Sequence, residues 1–130
     1  MTDEEYFPYK DEGYRILGAA FEVYRRIGNG FGEGVYQEAL AIEFSLRDIP
    51  FEEQPRLHIE YKGTQLRRTF VPDFICFDAI IVEIKAVTLL NDLHRSQLFN
   101  YLKASRFILG YVLNFGHEPL LEHDRKLCTW

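Results

Sequence analysis

The sequence VPDFICFDAIIVEIKA, residues 71–86, decides the fold. Two apolar segments rich in β-branched and aromatic residues meet near Asp78, a pattern that predicts a β-hairpin. Asp78 itself is explained by the turn, where aspartate is favoured. Three other charged residues interrupt the apolar pattern, namely Asp73, Glu83 and Lys85. Because a buried charge is costly unless it is paired or binds a ligand, these three residues are the first candidates for a functional site.

The register of the hairpin decides on which face these charges lie. Glu83 and Lys85 are two residues apart in the sequence and therefore share one face of their strand. If the turn leaves an odd number of residues unpaired, or contains a bulge, Asp73 joins them on that face. The opposite face then carries only small or apolar side chains, those of Phe74, Cys76, Val82, Ile84 and Ala86. This clean division of the side chains favours that register.

Two carboxylates beside a lysine allow two interpretations. A hard divalent cation such as Mg²⁺ takes a few carboxylate oxygens and keeps several waters. The alternative is a salt bridge from Lys85 to Glu83 or Asp73 on a solvated face of the sheet. The strand is apolar on both sides of these residues, so we favour the metal interpretation.

Composition limits the class of protein. A chain of 130 residues suits one domain, here residues 1–130, and 47% hydrophobic with 27% charged residues is ordinary for a globular protein. The net charge of −5 argues against a large sequence-independent phosphate-binding surface, but an empty metal site is itself acidic. The acidic N-terminus has no signal-peptide pattern, and no apolar run could span a membrane, so we expect a cytoplasmic protein.

Helical periodicity surrounds the hairpin. After a loose tail, residues 1–12, we predict a helix over residues 13–27 and a second from about Gly32 to Arg47. The apolar stripe of the second helix is predicted to consist of Val35, Ala39, Ile42 and Leu46. A third helix, capped by Asn91 or Thr88, is predicted to end near Arg106.

Extended segments complete the predicted architecture. Residues 50–61 are predicted to be extended, residues 107–115 to form a strand buried on both faces, and residues 120–127 to add a short edge strand. Strand, helix and strand in succession predict two parallel strands joined by a crossover. The fold class is therefore α/β, with a mixed sheet of four or five strands and helices on both sides.

Four sequence elements resemble one superfamily. Pro72-Asp73 followed by Glu83-Ile84-Lys85 resembles the PD-(D/E)XK signature of Mg²⁺-dependent nucleases. Residues 30–36, GFGEGVY, match the G-x-x-E-x-x-Y motif that names a family of small proteins similar to that superfamily. Gln97-x-x-x-Tyr101 resembles the Q-x-x-x-Y element of some of its nucleases. The resemblance covers residues 13–115 and implies a restriction-endonuclease-like core.

The resemblance also implies an activity and a set of roles. It implies hydrolysis of phosphodiester bonds in nucleic acid, DNA in preference to RNA, with Mg²⁺ as cofactor and Mn²⁺ as its substitute. Asp73, Glu83 and Lys85 would be catalytic. The metal would be held by Glu33, Asp73, Glu83 and the main-chain carbonyl of Ile84.

Further residues are expected to contact the nucleic acid or to support the site. Gln97 and Tyr101 would orient the nucleic acid, and Arg68, preceded by Arg67, would contact phosphate. Gln97 is expected to interrupt an apolar helix face, which is hard to explain by packing. Tyr36 and His94 would have supporting roles.

Plain structural alternatives stay open for most of these residues. A carboxylate at Glu33 complements the dipole of its helix, Tyr36 can simply pack, and paired arginines are common on an exposed strand edge. The residues of the third helix can form the polar border of an amphipathic helix. At the level of the whole protein, the alternatives are a catalytically silent nucleic-acid-binding or regulatory module and a plain protein-interaction domain. A homodimer is compatible with the sequence.

Overall fold

The computed structural model describes residues 7–129. It contains three helices and seven strands within that range. They are α1 (Lys10–Ile27), α2 (Glu33–Leu46), β1 (Phe51–Glu53), β2 (Leu57–Tyr61), β3 (Thr64–Phe70), β4 (Phe74–Cys76), β5 (Ile80–Lys85), α3 (Asp92–Ser105), β6 (Leu109–Asn114) and β7 (Glu122–Leu127). None of the helices in the described range is long and apolar enough to cross a membrane.

Five strands form the main sheet in the order β1-β4-β5-β6-β7. Strands β5 and β6 are parallel because α3 carries the chain back across the sheet between them, and the other neighbours are antiparallel. Strands β2 and β3 form a separate two-stranded hairpin. The segment predicted to be extended over residues 50–61 is therefore divided: β1 joins the main sheet, and β2 leaves it.

Helices cover both faces of the main sheet. Helices α1 and α2 pack on one face with Phe74, Val82 and Ile84. Helix α3 packs on the other face, where Leu98 and Leu102 contact Ile75 and Ile81. The predicted fold class, an α/β fold with a mixed sheet between helices, is confirmed.

The register of the β4–β5 hairpin is the predicted one. Phe74 pairs with Val82 and Cys76 with Ile80, so the three residues 77–79 form the turn. Phe77 and Asp78 in that turn have φ angles of 56° and 54°. Because the number of unpaired residues is odd, Asp73, Glu83 and Lys85 belong to the face of the sheet that α3 covers.

Two predictions about the helices are corrected. Helix α1 begins at Lys10, so residues 10–12 of the predicted loose tail are helical, while residues 1–6 lie outside the described residues. The predicted apolar stripe of α2 is wrong, because its side chains are largely exposed: Val35 by 43%, Ile42 by 57% and Leu46 by 73%. The buried residues of α2 are Tyr36, Leu40 and Phe44.

The reason for the second error is that α2 is apolar on more than one side. Its sequence allows two apolar stripes, and the tertiary contacts of the aromatic residues determine which of them is buried. Tyr36 stacks on Phe115 with ring centroids 4.6 Å apart, and Phe44 packs edge-on against Phe74 at 5.2 Å. Large rings that fill the space above the sheet bury more apolar surface than the smaller aliphatic side chains could.

Asn114, at the end of β6, holds the loop that joins β5 to α3. The side chain is fully buried, and its Oδ1 accepts hydrogen bonds from the amides of Val87 (3.0 Å) and Gly116 (3.1 Å). Its Nδ2 donates to Glu122 Oε1 at 2.9 Å, and the same oxygen accepts from the amide of Leu90 at 2.8 Å. This network fixes the position of α3 relative to the end of β5.

We predict that Asn114→Ala lowers the free energy of unfolding by about 1–3 kcal/mol, because it leaves buried partners without hydrogen bonds. Asn100→Ala is the matched control, since Asn100 is exposed on α3, where alanine is the better helix former. Urea denaturation of both variants measures the difference. Equal midpoints for the two variants would show that the network does not stabilise the fold.

Candidate active site

Asp73 and Glu83 form a carboxylate pair that the backbone of the hairpin positions. Asp73 lies directly before β4, and the register of the hairpin places it opposite Glu83 in β5. Oδ2 of Asp73 accepts a hydrogen bond from the amide of Ile84 at 2.7 Å. Oε1 of Glu83 accepts one from the amide of Asp73 at 3.2 Å. Each carboxylate is therefore held by the main chain of the opposite segment.

Burial and like charge disfavour ionisation of this pair. Glu83 is only 8% exposed. Burial, followed by the negative charge of Asp73, raises the pKa of Glu83 to about 8. Burial also raises the pKa of Asp73, and the charge of Lys85 lowers the pKa of both carboxyls without cancelling the effect. A bound cation would favour the ionised form of both groups.

The donor set fits a hard divalent cation. Such ions take carboxylate and carbonyl oxygens. In a β-strand, the amide and the carbonyl of one residue point to the same side. The amide of Ile84 points towards Asp73, so its carbonyl faces the same side. Two carboxylates and one carbonyl can thus meet at this position.

Glu33 lies within electrostatic reach of the pair but does not complete a cluster with it. It is the first residue of α2 and is exposed. Its negative charge contributes to the raised pKa values of both Asp73 and Glu83. Within residues 7–129, however, no three His, Cys, Asp or Glu side chains are grouped closely enough to hold a metal ion. The role of Glu33 as a metal ligand stays a prediction.

Lys85 lines a cleft along α3. The cleft has a volume of about 550 Å³. Its lining consists of Lys85, Leu93, His94, Ser96, Gln97, Asn100 and Tyr101. The structure therefore brings three residues predicted from the helix pattern, His94, Gln97 and Tyr101, beside the predicted catalytic lysine.

Tyr101 connects this cleft to the carboxylate pair. Burial, and then the negative charges of Glu83 and Asp73, raise the pKa of its hydroxyl. Its ring stacks on Phe70 at the end of β3, with centroids 4.4 Å apart and planes 24° from parallel. The ring is thus held from one side while the residue lines the cleft.

The expected position of Gln97 is corrected. Gln97 does not interrupt the buried face of α3, which is formed by Leu98 and Leu102; it is exposed and lines the cleft. His94 has a capping role in addition to its place in the cleft. Its Nδ1 accepts from the amide of Asn91 at 3.2 Å, and its own amide donates to Asn91 Oδ1 at 3.0 Å.

Tyr36 supports the segment that precedes Glu33. The side chain is fully buried, its hydroxyl donates to the carbonyl of Gly28 at 2.6 Å, and it accepts from the amide of Phe31 at 3.3 Å. These bonds fix the glycine-containing connection between α1 and α2. A supporting role of Tyr36 at the site stays a prediction. Arg68 lies on the separate β2–β3 hairpin, is exposed, and does not line the cleft.

Gln37 is a site residue that the sequence interpretation missed. Its Nε2 donates to the carbonyl of Asp73 at 3.2 Å and to Glu53 Oε2 at 3.1 Å. The amide of Gln54 donates to the same carbonyl at 2.9 Å. Gln37 lies four residues after Glu33, on the same side of the helix. This spacing is the feature of the sequence that could have predicted a position of Gln37 near the site.

Comparison with known proteins agrees with this architecture. The crystal structure of SSO0001 superposes with a TM-score of 0.57 at 16% sequence identity, covering 94% of this chain and 61% of that chain. This chain therefore spans less than two thirds of that protein, and at this identity the likeness concerns the fold. No curated protein matches the sequence significantly.

The family comparison covers most of the chain. Residues 10–126 match the profile of the PD-(D/E)XK nuclease superfamily. That range includes β1 to β6, β7 except for Leu127, the carboxylate pair and the cleft along α3. This chain therefore belongs to the PD-(D/E)XK nuclease superfamily.

Proposed function

We propose that this protein is a divalent-metal-dependent nuclease that hydrolyses phosphodiester bonds. The observation that carries the proposal is the pair of half-buried Asp73 and buried Glu83, followed in β5 by Lys85, which lines the cleft along α3. Membership of the superfamily suggests nuclease activity and a nucleic-acid substrate, and its nucleases typically use divalent metals. Two acids with raised pKa values beside a residue that lines a cleft are an arrangement expected of a functional site.

Asp73, Glu83 and the carbonyl of Ile84 would hold the cation, with Glu33 as a further ligand, directly or through water. Mg²⁺ is the proposed ion and Mn²⁺ its substitute. When bound, such an ion polarises a phosphate and lowers the pKa of a water molecule. The main-chain amides of Asp73 and Ile84 keep the carboxylates in place, and Gln37 fixes the segment that carries Asp73.

Lys85 would act on the phosphate. It follows Glu83 by two residues and lies half-buried at the edge of the cleft, where its charge can stabilise the negative charge that develops on the reacting phosphate. Gln97 and Tyr101 would orient the nucleic acid, with an amide for hydrogen bonding and a ring for stacking. Arg68 would contact phosphate outside the cleft.

The proposal also includes the family, the preferred nucleic acid and the extent of the domain. We assign the chain to the family named for G-x-x-E-x-x-Y on the strength of residues 30–36. We also propose DNA in preference to RNA as substrate, and residues 1–130 as one catalytic domain. These assignments rest on the resemblance of the motifs.

One observation favours a second candidate, a nucleic-acid-binding module without turnover. Within the described part of the chain, no three metal-binding side chains form a group. If Glu33 does not complete the site, the affinity for metal is lower and the same cleft would bind nucleic acid without cutting it.

We predict that Mn²⁺ stabilises the protein through the carboxylate pair. At a concentration 100-fold above the Kd, a ligand that binds only the folded state raises the free energy of unfolding by about 2.7 kcal/mol. Thermal melting with and without Mn²⁺ should show this shift in wild type and not in Asp73→Asn/Glu83→Gln. The control Asp78→Asn/Glu60→Gln changes the charge equally at exposed positions and should keep the shift. Equal shifts in both double variants would exclude this metal site.

A second prediction concerns pH in the absence of metal. The pKa of Glu83 is raised from 4.5 to about 8, so the folded protein holds this proton more tightly than the unfolded chain. Below pH 4.5 the carboxyl of Glu83 is protonated in both states and does not change the free energy of unfolding. As the pH rises from 4.5 to about 8, the unfolded chain ionises first and the free energy of unfolding falls; above about pH 8 the loss is constant. Glu83→Gln should therefore melt at a higher temperature than wild type at pH 8.5 and at nearly the same temperature at pH 4. The exposed control Glu60→Gln should follow wild type; a Glu83→Gln profile parallel to wild type would contradict the buried, protonated state.

The third prediction separates the enzyme from the binding module. Lys85→Met keeps the apolar stem and removes the charge, so cleavage should fall by about two orders of magnitude or more while nucleic-acid binding changes little. The assay uses Mg²⁺ or Mn²⁺ with single-stranded, duplex and branched DNA and their RNA counterparts. Lys126→Met, which removes a cation paired with Asp124 on β7, is the control. If wild type binds but cuts none of these substrates, the binding module is the correct function; if Lys85→Met unfolds, Lys85 is a structural residue.

A further inference from the structure

The β2–β3 hairpin concentrates positive charge in an acidic chain. The whole chain carries a net charge of −5. Residues 56–68 contain four cations and one acid, Glu60, which gives this segment a charge of +3. All four cations are exposed: Arg56, Lys62, Arg67 and Arg68. The acidic balance therefore belongs to the rest of the molecule and does not describe this hairpin.

The end of α3 adds to this charge across a groove. An open groove of about 700 Å³ separates the hairpin from the last turn of the helix. From the hairpin it is lined by His58, Lys62 and Gln65, and from the other side by Lys103 and Ser105 of α3 and by Arg106, which follows the helix. Glu60 is the acid in this lining. Cations, hydroxyls and amides together provide the donors that phosphate oxygens require.

Four cations in and beside the groove have no carboxylate partner among the described residues. Among residues 7–129, no carboxylate lies within 4.0 Å of the side-chain nitrogens of Lys62, Arg67, Arg68 or Lys103. Arg25 and Arg26 on α1 differ, since both bind Glu22 at 2.8 Å. Exposed cations without a neighbouring acid, gathered on one hairpin and the helix end beside it, are the electrostatic feature that attracts a polyanion.

The groove continues the candidate active cleft. Phe70 ends β3 and stacks on Tyr101, which lines the cleft beside Lys85. Helix α3 runs from the cleft to the groove, and the six residue steps from Gln97 to Lys103 correspond to a rise of about 9 Å along its axis. Phosphates of one strand of B-DNA follow one another at about 3.4 Å along the duplex axis. The groove is thus about three nucleotides from the cleft.

We propose that the β2–β3 hairpin and the last turn of α3 form a phosphate-binding groove that holds the nucleic-acid backbone about three nucleotides from the cleavage position. The inference rests on the proposed function for the position of cleavage, but binding by the groove does not require turnover. It extends the phosphate contact expected of the Arg67–Arg68 pair to Lys62 and Lys103, which have no role in the proposed function. It also explains how a chain of net charge −5 can hold a polyanion, because the binding surface and the acidic surface are separate.

The test measures binding without cleavage. A fluorescein-labelled 20-nucleotide DNA strand, and its duplex, are titrated in EDTA while fluorescence anisotropy is followed over a range of salt concentrations. Each of two variants, Arg67→Gln/Arg68→Gln and Lys62→Gln/Lys103→Gln, should weaken binding. The slope of log K against log salt should become shallower by about 1.8 for the duplex or about 1.4 for the single strand, as two phosphate contacts are lost.

A matched control keeps the change in net charge constant. Arg25→Gln/Arg26→Gln removes the same number of charges from α1, on the opposite face of the sheet, and should leave Kd within about twofold and the salt slope unchanged. All variants change exposed side chains, so their melting temperatures should equal that of wild type. A double variant with a different melting temperature is replaced by its two single substitutions.

The outcomes distinguish this inference from the proposed function. If wild type binds but never cuts with Mn²⁺, and only the groove variants lose binding, the groove stands and the nuclease proposal fails. If wild type cuts but the groove variants bind like wild type or like the control, the groove is wrong and the nuclease proposal stands. Absence of wild-type binding to both probes would also overturn the groove. Competition by polyglutamate as strong as by unlabelled DNA would overturn it as well, because the groove would then suit an acidic protein segment.

Discussion

The pairing of β4 with β5 is the constraint on which the candidate site depends. Three unpaired residues in the turn place Asp73 opposite Glu83 and put both on the face that α3 covers. A shift by one residue would send Asp73 to the face covered by α1 and α2, where Phe74 and Val82 pack. The core on that face therefore selects the register, and the register creates the acid pair.

The acid pair is unfavourable for stability and informative for function. Burial and the charge of Asp73 raise the pKa of Glu83 to about 8, so the folded chain without a cation resists full ionisation of the pair. The surrounding structure holds this arrangement through several independent contacts. Gln37 binds the carbonyl of Asp73, and the buried Asn114 fixes the loop that leads from Lys85 to α3. A fold that maintains such an arrangement gives a physical reason to place the chemistry there, in agreement with the superfamily match.

The carboxylate pair and the groove beside α3 carry charges of opposite sign. Asp73 lies directly before β4 and Glu83 lies near the end of β5, whereas the cations lie on the β2–β3 hairpin and the end of α3. The contact between Phe70 and Tyr101 joins the two regions. The hairpin is not part of the main sheet, which leaves it free to vary in charge without disturbing the core. A cation at the carboxylates and phosphates along the groove would each meet the charge that suits them.

The sequence by itself determined the hairpin, its register, the parallel crossover and the α/β class, because each depends on local periodicity and on turns. It also made Asp73, Glu83 and Lys85 the candidate site residues, since charges within an apolar strand require an explanation. Only the tertiary structure decided which side of α2 is buried, because that helix is apolar on two sides and aromatic contacts across the sheet make the choice. Likewise, the exposure of Gln97, the bond from Gln37 to Asp73 and the groove beside α3 depend on how separate elements pack, and the spacing of residues along one element carries no such information.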